Sequence, residues 1–288
     1  MLPITHILFP VDFSERCASS APFVNAMANR FGAAVTLFSV TPPMVYVGGM
    51  GEPIPMPPDD ELLKSGLQNR LDSAFLEEFS GVVVKRRVEV GDAAHAIVRF
   101  AHEEKVSLIM MPTHGYGPFR RLLLGSVTAK VLHDAHCPVW TGAHMEEPPA
   151  LDHLACRNIV CAVDTQPKSA AVMKWAAQYA KDTGAVLRLV HAISGIEAWP
   201  ERQLDREFEE AIRADARQAI EKMQKETGVD APLCVAVGDV ASAIREEARR
   251  HHADLVAIGR GVLHETLGRL RTHSYSIIRQ APCPVISV

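Results

Sequence analysis

The run Val106–Val139, VSLIMMPTHGYGPFRRLLLGSVTAKVLHDAHCPV, decides the fold. Val106–Met111 is too short for a free-standing helix and too apolar for a strand with one wet face, which is the pattern of a strand buried in the middle of a parallel sheet. A glycine-bearing loop follows, then the helical stretch SVTAKVLHDA, then a new strand entered at Cys137-Pro138-Val139. Open α/β sheets bind ligands outside the carboxyl ends of their strands, beside helix N-termini whose free N–H groups favour anions. Gly115, Gly125 and Ser126 are therefore candidate phosphate contacts, with Ser126 placed to cap the helix.

Working outward, the same alternation of strand and helix fills the chain. Ile4–Val11 reads as a buried strand ended by Asp12. A helix beginning near Ser14 and closing at Gly32 comes next, and Ala33–Val40 is a second strand. Residues 41–60 are rich in proline and glycine, with apolar members such as Met44, Tyr46 and Ile54, and form a long loop suited to a lid or a partner-contact arm. Glu61–Phe79 has helical spacing, Val82–Val90 is a strand, and Gly91-Asp92 opens the helix that leads to Val106.

From Arg157 the plan repeats. Arg157–Asp164 answers His6–Asp12, Ala185–Ala192 answers the second strand, and Glu201–Thr227 is a long amphipathic helix. Gly238-Asp239 answers Gly91-Asp92, and Ala281–Val285 (APCPV) answers Ala135–Val139 (AHCPV). Repetition at this length signals duplicated domains, not a solenoid. The expected division is residues 1–145 and 146–288, with Pro148-Pro149 in the linker. Each half is expected to be α/β and doubly wound: a five-stranded parallel sheet with helices on both faces, in the order 3-2-1-4-5. The halves differ in the loop: counting back from Cys283 puts Arg271-Thr272 where Gly125-Ser126 stand. The second copy reads as degenerate for phosphate. A different anion using Arg260, Arg269 and Arg271 is one reading of its loop, and a solvated or interdomain basic loop is the other.

Composition narrows the function. Of 288 residues, 48% are hydrophobic and 22% charged, an ordinary globular balance, and 30 Lys and Arg against 34 Asp and Glu leave no basic surface for indiscriminate nucleic-acid binding. No apolar run reaches the length of a membrane span, and the first ten residues lack the pattern of a signal peptide, so a cytoplasmic protein is expected. The six cysteines form no C-x-x-C pair, which fits reduced thiols. His133 and His136 stand three apart at a helix end without carboxylate or cysteine support, so no metal site is expected. Neither a Ser-His-Asp order, a nucleophile elbow nor the lysine of a P-loop is present, so binding outranks turnover.

The spacing Gly115, nine residues, Gly125-Ser126, followed by Cys-Pro-Val, resembles the nucleotide loop of the universal stress protein family, usually Gly-x-x-Gly, nine residues, then Gly-Ser or Gly-Thr. Here Pro112 replaces the first glycine and removes one backbone donor. The resemblance covers nearly the whole chain and implies a tandem universal stress protein that binds ATP with Mg²⁺ at one site in the first half. It implies that Asp12, Val11, Val40, Met111 and Pro112 surround the nucleoside, and that His114, Gly115, Gly125, Ser126 and Val127 lie toward the phosphates. Arg120-Arg121 is a weaker candidate for neutralising phosphate. The resemblance also implies an adenine nucleotide as ligand, no membrane and no nucleic-acid partner. The halves are expected to pair through Val139–Thr141 and Val285–Val288 as a pseudo-dimer within one chain, with a homodimer of chains as a further step. Any ATP hydrolysis is expected to be slow. The alternative is a nucleotide-free interaction protein in which Pro112 has disabled the site.

Overall fold

The computed structural model describes residues 2–43, 60–115, 124–142, 154–194, 206–260 and 270–288. The expected loop at 41–60 and the Arg120-Arg121 pair thus fall largely or wholly outside the described residues. The chain divides into two units, one holding residues 4–115 and 125–137, the other Pro138–Val288 with residues 2–3 and 124.

The first unit runs β1 (His6–Pro10), α1 (Glu15–Phe31), β2 (Ala34–Thr41), α2 (Asp60–Ser73), β3 (Val84–Val90), α3 (Ala93–Glu103), β4 (Leu108–Met111) and α4 (Ser126–Asp134). Its strands are parallel and ordered β3-β2-β1-β4. The central members are the most apolar: Ile7, Leu8 and Phe9 of β1 and Leu108–Met111 of β4 are all buried, as strands covered on both faces must be.

α2 is shorter than its periodicity suggests. The apolar spacing continues to Phe79, but the helix stops at Ser73 and Phe75 takes a left-handed φ of 57°. Two interactions explain the stop. The Arg86 guanidinium, reaching back from β3, donates from Nε to the Leu71 carbonyl (3.0 Å) and from Nη2 to that of Ala74 (3.2 Å), satisfying acceptors the helix end leaves open. The turn then sets the Phe75 and Phe79 rings 5.9 and 6.3 Å from the Phe9 ring. Phe79 is buried and Phe75 half-buried against Phe9, and both are delivered by a turn.

The second unit runs β5 (Val139–Thr141), β6 (Asn158–Ala162), α5 (Ser169–Thr183), β7 (Val186–Ile193), α6 (Arg206–Thr227), β8 (Leu233–Val237), α7 (Val240–Arg250), β9 (Leu255–Ile258), α8 (Leu270–Gln280) and β10 (Val285–Ser287). The parallel strands β8-β7-β6-β9-β10 realise the full order 3-2-1-4-5. β5 lies antiparallel on β10, pairing Thr141 with Val285, Trp140 with Ile286 and Val139 with Ser287, the two segments expected to meet. The repeat extends to its caps. Asp92 accepts from the His95 N–H at the start of α3, and Asp239 from the Ser242 N–H at the start of α7, each at 2.8 Å.

Candidate nucleotide site

In the first unit β1 and β4 are neighbours, so the chain that leaves each of them emerges at the same end of the sheet. There the backbone of Gly115 meets the side chain of Asp12. A Cβ on Gly115 would lie 1.9 Å from Asp12 Oδ2, so only glycine allows this approach. The other carboxylate oxygen, Oδ1, accepts from the Ser14 N–H (2.9 Å) and the Ser14 hydroxyl (2.7 Å). Ser14 in turn caps α1 by accepting from the Cys17 N–H at 3.1 Å. Asp12 thus serves the helix start with one oxygen and faces Gly115 with the other.

Phe13, between them, holds φ at 59°, a rare conformation for a bulky residue, and the Arg70 guanidinium carbon sits 4.0 Å from its ring centroid. Behind this turn Cys17 is fully buried, with its thiol pushed up to about 12 by burial and then by the Asp12 charge. It is a neutral packing group and not a nucleophile.

The loop after β4 is tied to α4 at two points. The Gly125 N–H donates to the Thr113 carbonyl (2.9 Å), and the Thr128 hydroxyl donates to the Pro112 carbonyl (3.1 Å). A Cβ on Gly125 would come 3.1 Å from the His114 Cα, so this glycine also marks a close backbone approach. α4 begins at Ser126 with Gly125 as its N-cap and no side chain capping it, which corrects the expectation that Ser126 would cap. The first bond of the helix runs from the Ala129 N–H to the Gly125 carbonyl (2.8 Å). The N–H groups of Ser126 and Val127 precede it, and they have no acceptor within the helix. This is an anion-favouring end with its donors uncommitted to a cap.

The structure therefore brings Asp12 to Gly115, Thr113 and His114 to Gly125, and Pro112 to Thr128. Val11 is buried at the end of β1, tied to β2 by its N–H to the Phe38 carbonyl (2.8 Å) and by the Ser39 hydroxyl to its own carbonyl (2.9 Å). Val40 is half-buried and Met111 buried, one on each neighbouring strand. His114 is buried, with Nδ1 3.2 Å from the Thr113 hydroxyl. Thr113 and Thr128, which hold the loop's shape, went unnoticed in the sequence; neither carries a motif signal, since their roles follow from loop geometry.

Among the described residues no group of three or more His, Cys, Asp or Glu is placed to hold a metal ion. Nor is any helix long and apolar enough to cross a membrane.

Comparison with known proteins agrees with this architecture. The model of the universal stress protein family matches residues 3–141 and again 155–288. Universal stress protein MJ0531 of Methanocaldococcus jannaschii is 35% identical over 139 residues, covering 46% of this chain and 78% of that protein. A universal stress protein from Archaeoglobus fulgidus superposes with a TM-score of 0.67 at 21% identity, covering all of this chain and 97% of its own. A universal stress protein solved in complex with cAMP is similar at 24% identity over 46% of this chain and 97% of its own, with a TM-score of 0.35.

Proposed function

Because the chain belongs to the universal stress protein family, we propose that it is an ATP-binding stress-response regulatory protein with a single nucleotide site in its first half. One observation carries this reading: Gly115 lies bare against Asp12 while the uncapped start of α4 stands beside the same loop. An acid that can meet ribose hydroxyls and a helix N-terminus that can meet phosphate are the two ends a nucleotide needs. Val11, Val40, Met111 and Pro112 supply apolar walls for the base. Gly115, Ser126 and Val127 face the phosphates, with His114 buried at the loop's root. Gly125 contributes space more than a donor, since its N–H already serves Thr113.

Mg²⁺ fits this site only as part of the nucleotide. Asp12 is the acid present, and Mg²⁺ commonly rides on phosphate oxygens and water with one or two carboxylates. Among the described residues no side chain of the site is arranged to activate a water, and slow turnover is the expectation.

A second reading has an observation of its own. Pro112 lacks an N–H and that of Gly125 is engaged, so two of the loop's donors are withdrawn from phosphate. On that reading the protein acts through its surfaces without nucleotide.

Isothermal titration with ATP and Mg²⁺ separates the two. Near-stoichiometric binding of a single ATP, lost in a Gly125→Arg, Ser126→Thr variant that copies the second half, supports the first reading. Absence of heat with the wild-type chain supports the second.

A further inference from the structure

The second unit contains a cavity of about 440 Å³ at the carboxyl ends of β6, β7 and β9, within the size range of small-molecule sites. Its inner walls are apolar, built by Val163, Val172, Ile244, Ile258 and Ile277. Lys168, His191, Arg260, His273 and Ser274 are among its polar lining residues. The cavity lies at the place in the second half that corresponds to the Asp12–Gly115 approach in the first, and the strand registers give the correspondence residue by residue.

Val163 donates to the Val190 carbonyl as Val11 does to that of Phe38, so His191 stands where Ser39 stands. β9 pairs with β6 as β4 pairs with β1, so Arg260 stands where Thr113 stands. Two hydroxyl residues of the first half are thus two basic residues in the second. His191 keeps the tie that Ser39 makes: its Nδ1 lies 2.9 Å from the Val163 carbonyl. A carbonyl only accepts, so Nδ1 carries a proton, and Nε2 offers a second donor to an anion only when the ring is protonated. Asp164 is the side-chain anion of the lining, and its Oδ1 already accepts from the Gln166 N–H (2.8 Å) and the Ser169 hydroxyl (2.7 Å). Lys168 fills the N-cap position of α5 without a side-chain cap bond, and the Ser169, Ala170 and Ala171 N–H groups already donate to the Gln166, Pro167 and Lys168 carbonyls, so the ligand's charge falls to side chains.

We infer that this second crevice binds a small organic anion, an apolar body bearing a single acidic group such as a carboxylate or sulfonate, and not a nucleotide. The apolar walls take the body, and Lys168 takes the charge, with His191 and His273 joining it in their protonated form. A triphosphate is disfavoured because Arg271-Thr272 stands where the first half has Gly125-Ser126. Arg269 and the side chain of Arg271, the other cations weighed for this loop, lie outside the described residues. This inference does not depend on whether the first half binds ATP.

The test uses the full chain and two fluorescent probes with the same body, 8-anilinonaphthalene-1-sulfonate and the uncharged N-phenyl-1-naphthylamine. The expected result is saturable binding of the sulfonate, tighter than the neutral probe by about tenfold or more, as a charge-assisted contact in a partly dry site provides. A Lys168→Gln, His273→Gln variant should lose most of that preference. Ala171→Trp, which plugs the mouth from an exposed position on α5, should abolish binding of both probes. Saturating ATP should leave the signal unchanged. Equal affinity for the two probes, binding untouched by both variants, or displacement by ATP would each overturn the inference.

Discussion

Gly115 and Asp12 occupy each other's space: a methyl group on the glycine would sit 1.9 Å from the carboxylate Oδ2. The acid cannot simply step aside, because its Oδ1 holds the Ser14 N–H and hydroxyl at the start of α1. Loop and helix start are thereby one mechanical unit.

Gly115→Ala should therefore disturb binding more than folding. Turning Asp12 away costs its hydrogen bonds to Ser14, a loss of about 1 kcal/mol of stability by the usual worth of a cap. On the proposed ATP-binding reading the same movement takes the acid from the nucleoside, and ATP affinity should fall by about tenfold or more, the worth of a charged hydrogen bond. Titration calorimetry and a urea melt on the same samples check both numbers. A variant that binds ATP as well as wild type would remove Asp12 from the site.

Arg86 makes a separate, purely structural prediction. Its two hydrogen bonds end α2 at Leu71 and Ala74 and so fix the turn that aims Phe75 and Phe79 at Phe9. Arg86→Met keeps the aliphatic stem and loses the bonds, so stability should drop by about 1–3 kcal/mol. Phe9→Ala should cost about 3–5 kcal/mol, since it empties a fully buried position. Arg86→Met should leave ATP affinity unchanged, because Arg86 lies on β3 and not on the loop.

These residues also show what the sequence could and could not tell. The buried strands at Ile7–Phe9 and Leu108–Met111 were legible because strands covered on both faces need unbroken apolar runs. The Asp92 and Asp239 caps were legible because capping is local. The end of α2 was not, because it is imposed by Arg86, distant in sequence, against a periodicity that runs on to Phe79. The same limit applies in the site. Glycine spacing located the loop, but the ties from Gly125 to Thr113 and from Thr128 to Pro112 depend on three-dimensional proximity.

The Asp92 carboxyl is held below its usual range, first by the His95 N–H it accepts and then by Lys130, whose Nζ is 3.2 Å away. A carboxylate depressed on folding stabilises the protein above its unfolded value, and that contribution disappears as pH falls through the folded value. Asn also caps helices well, so Asp92→Asn isolates the charge. The urea midpoint of wild type should exceed that of Asp92→Asn at neutral pH, and the two should converge below the ordinary carboxylate range. Because Asp92 is exposed, the difference should also shrink in high salt. A gap that persists in acid would mean that the cap geometry, not the charge, is responsible.

Pro112 offers the sharpest comparison, because it departs from the family's glycine while its carbonyl is already in use by Thr128. Pro112→Gly returns an N–H to the loop and leaves that carbonyl in place. It should lower stability by about 0.4–1 kcal/mol through the freer unfolded chain. If the missing donor limits binding, ATP affinity should rise by about fivefold, the net worth of an added hydrogen bond. Thr128→Val works in the opposite direction: it leaves the buried Pro112 carbonyl without its donor, should cost about 1–3 kcal/mol, and should weaken ATP by loosening the loop. Calorimetry on both variants distinguishes a site short of one donor from a site that depends on loop rigidity. Tighter binding in Pro112→Gly with weaker binding in Thr128→Val means that both matter. Unchanged binding in Pro112→Gly alone means that the start of α4 carries the phosphates without help from position 112.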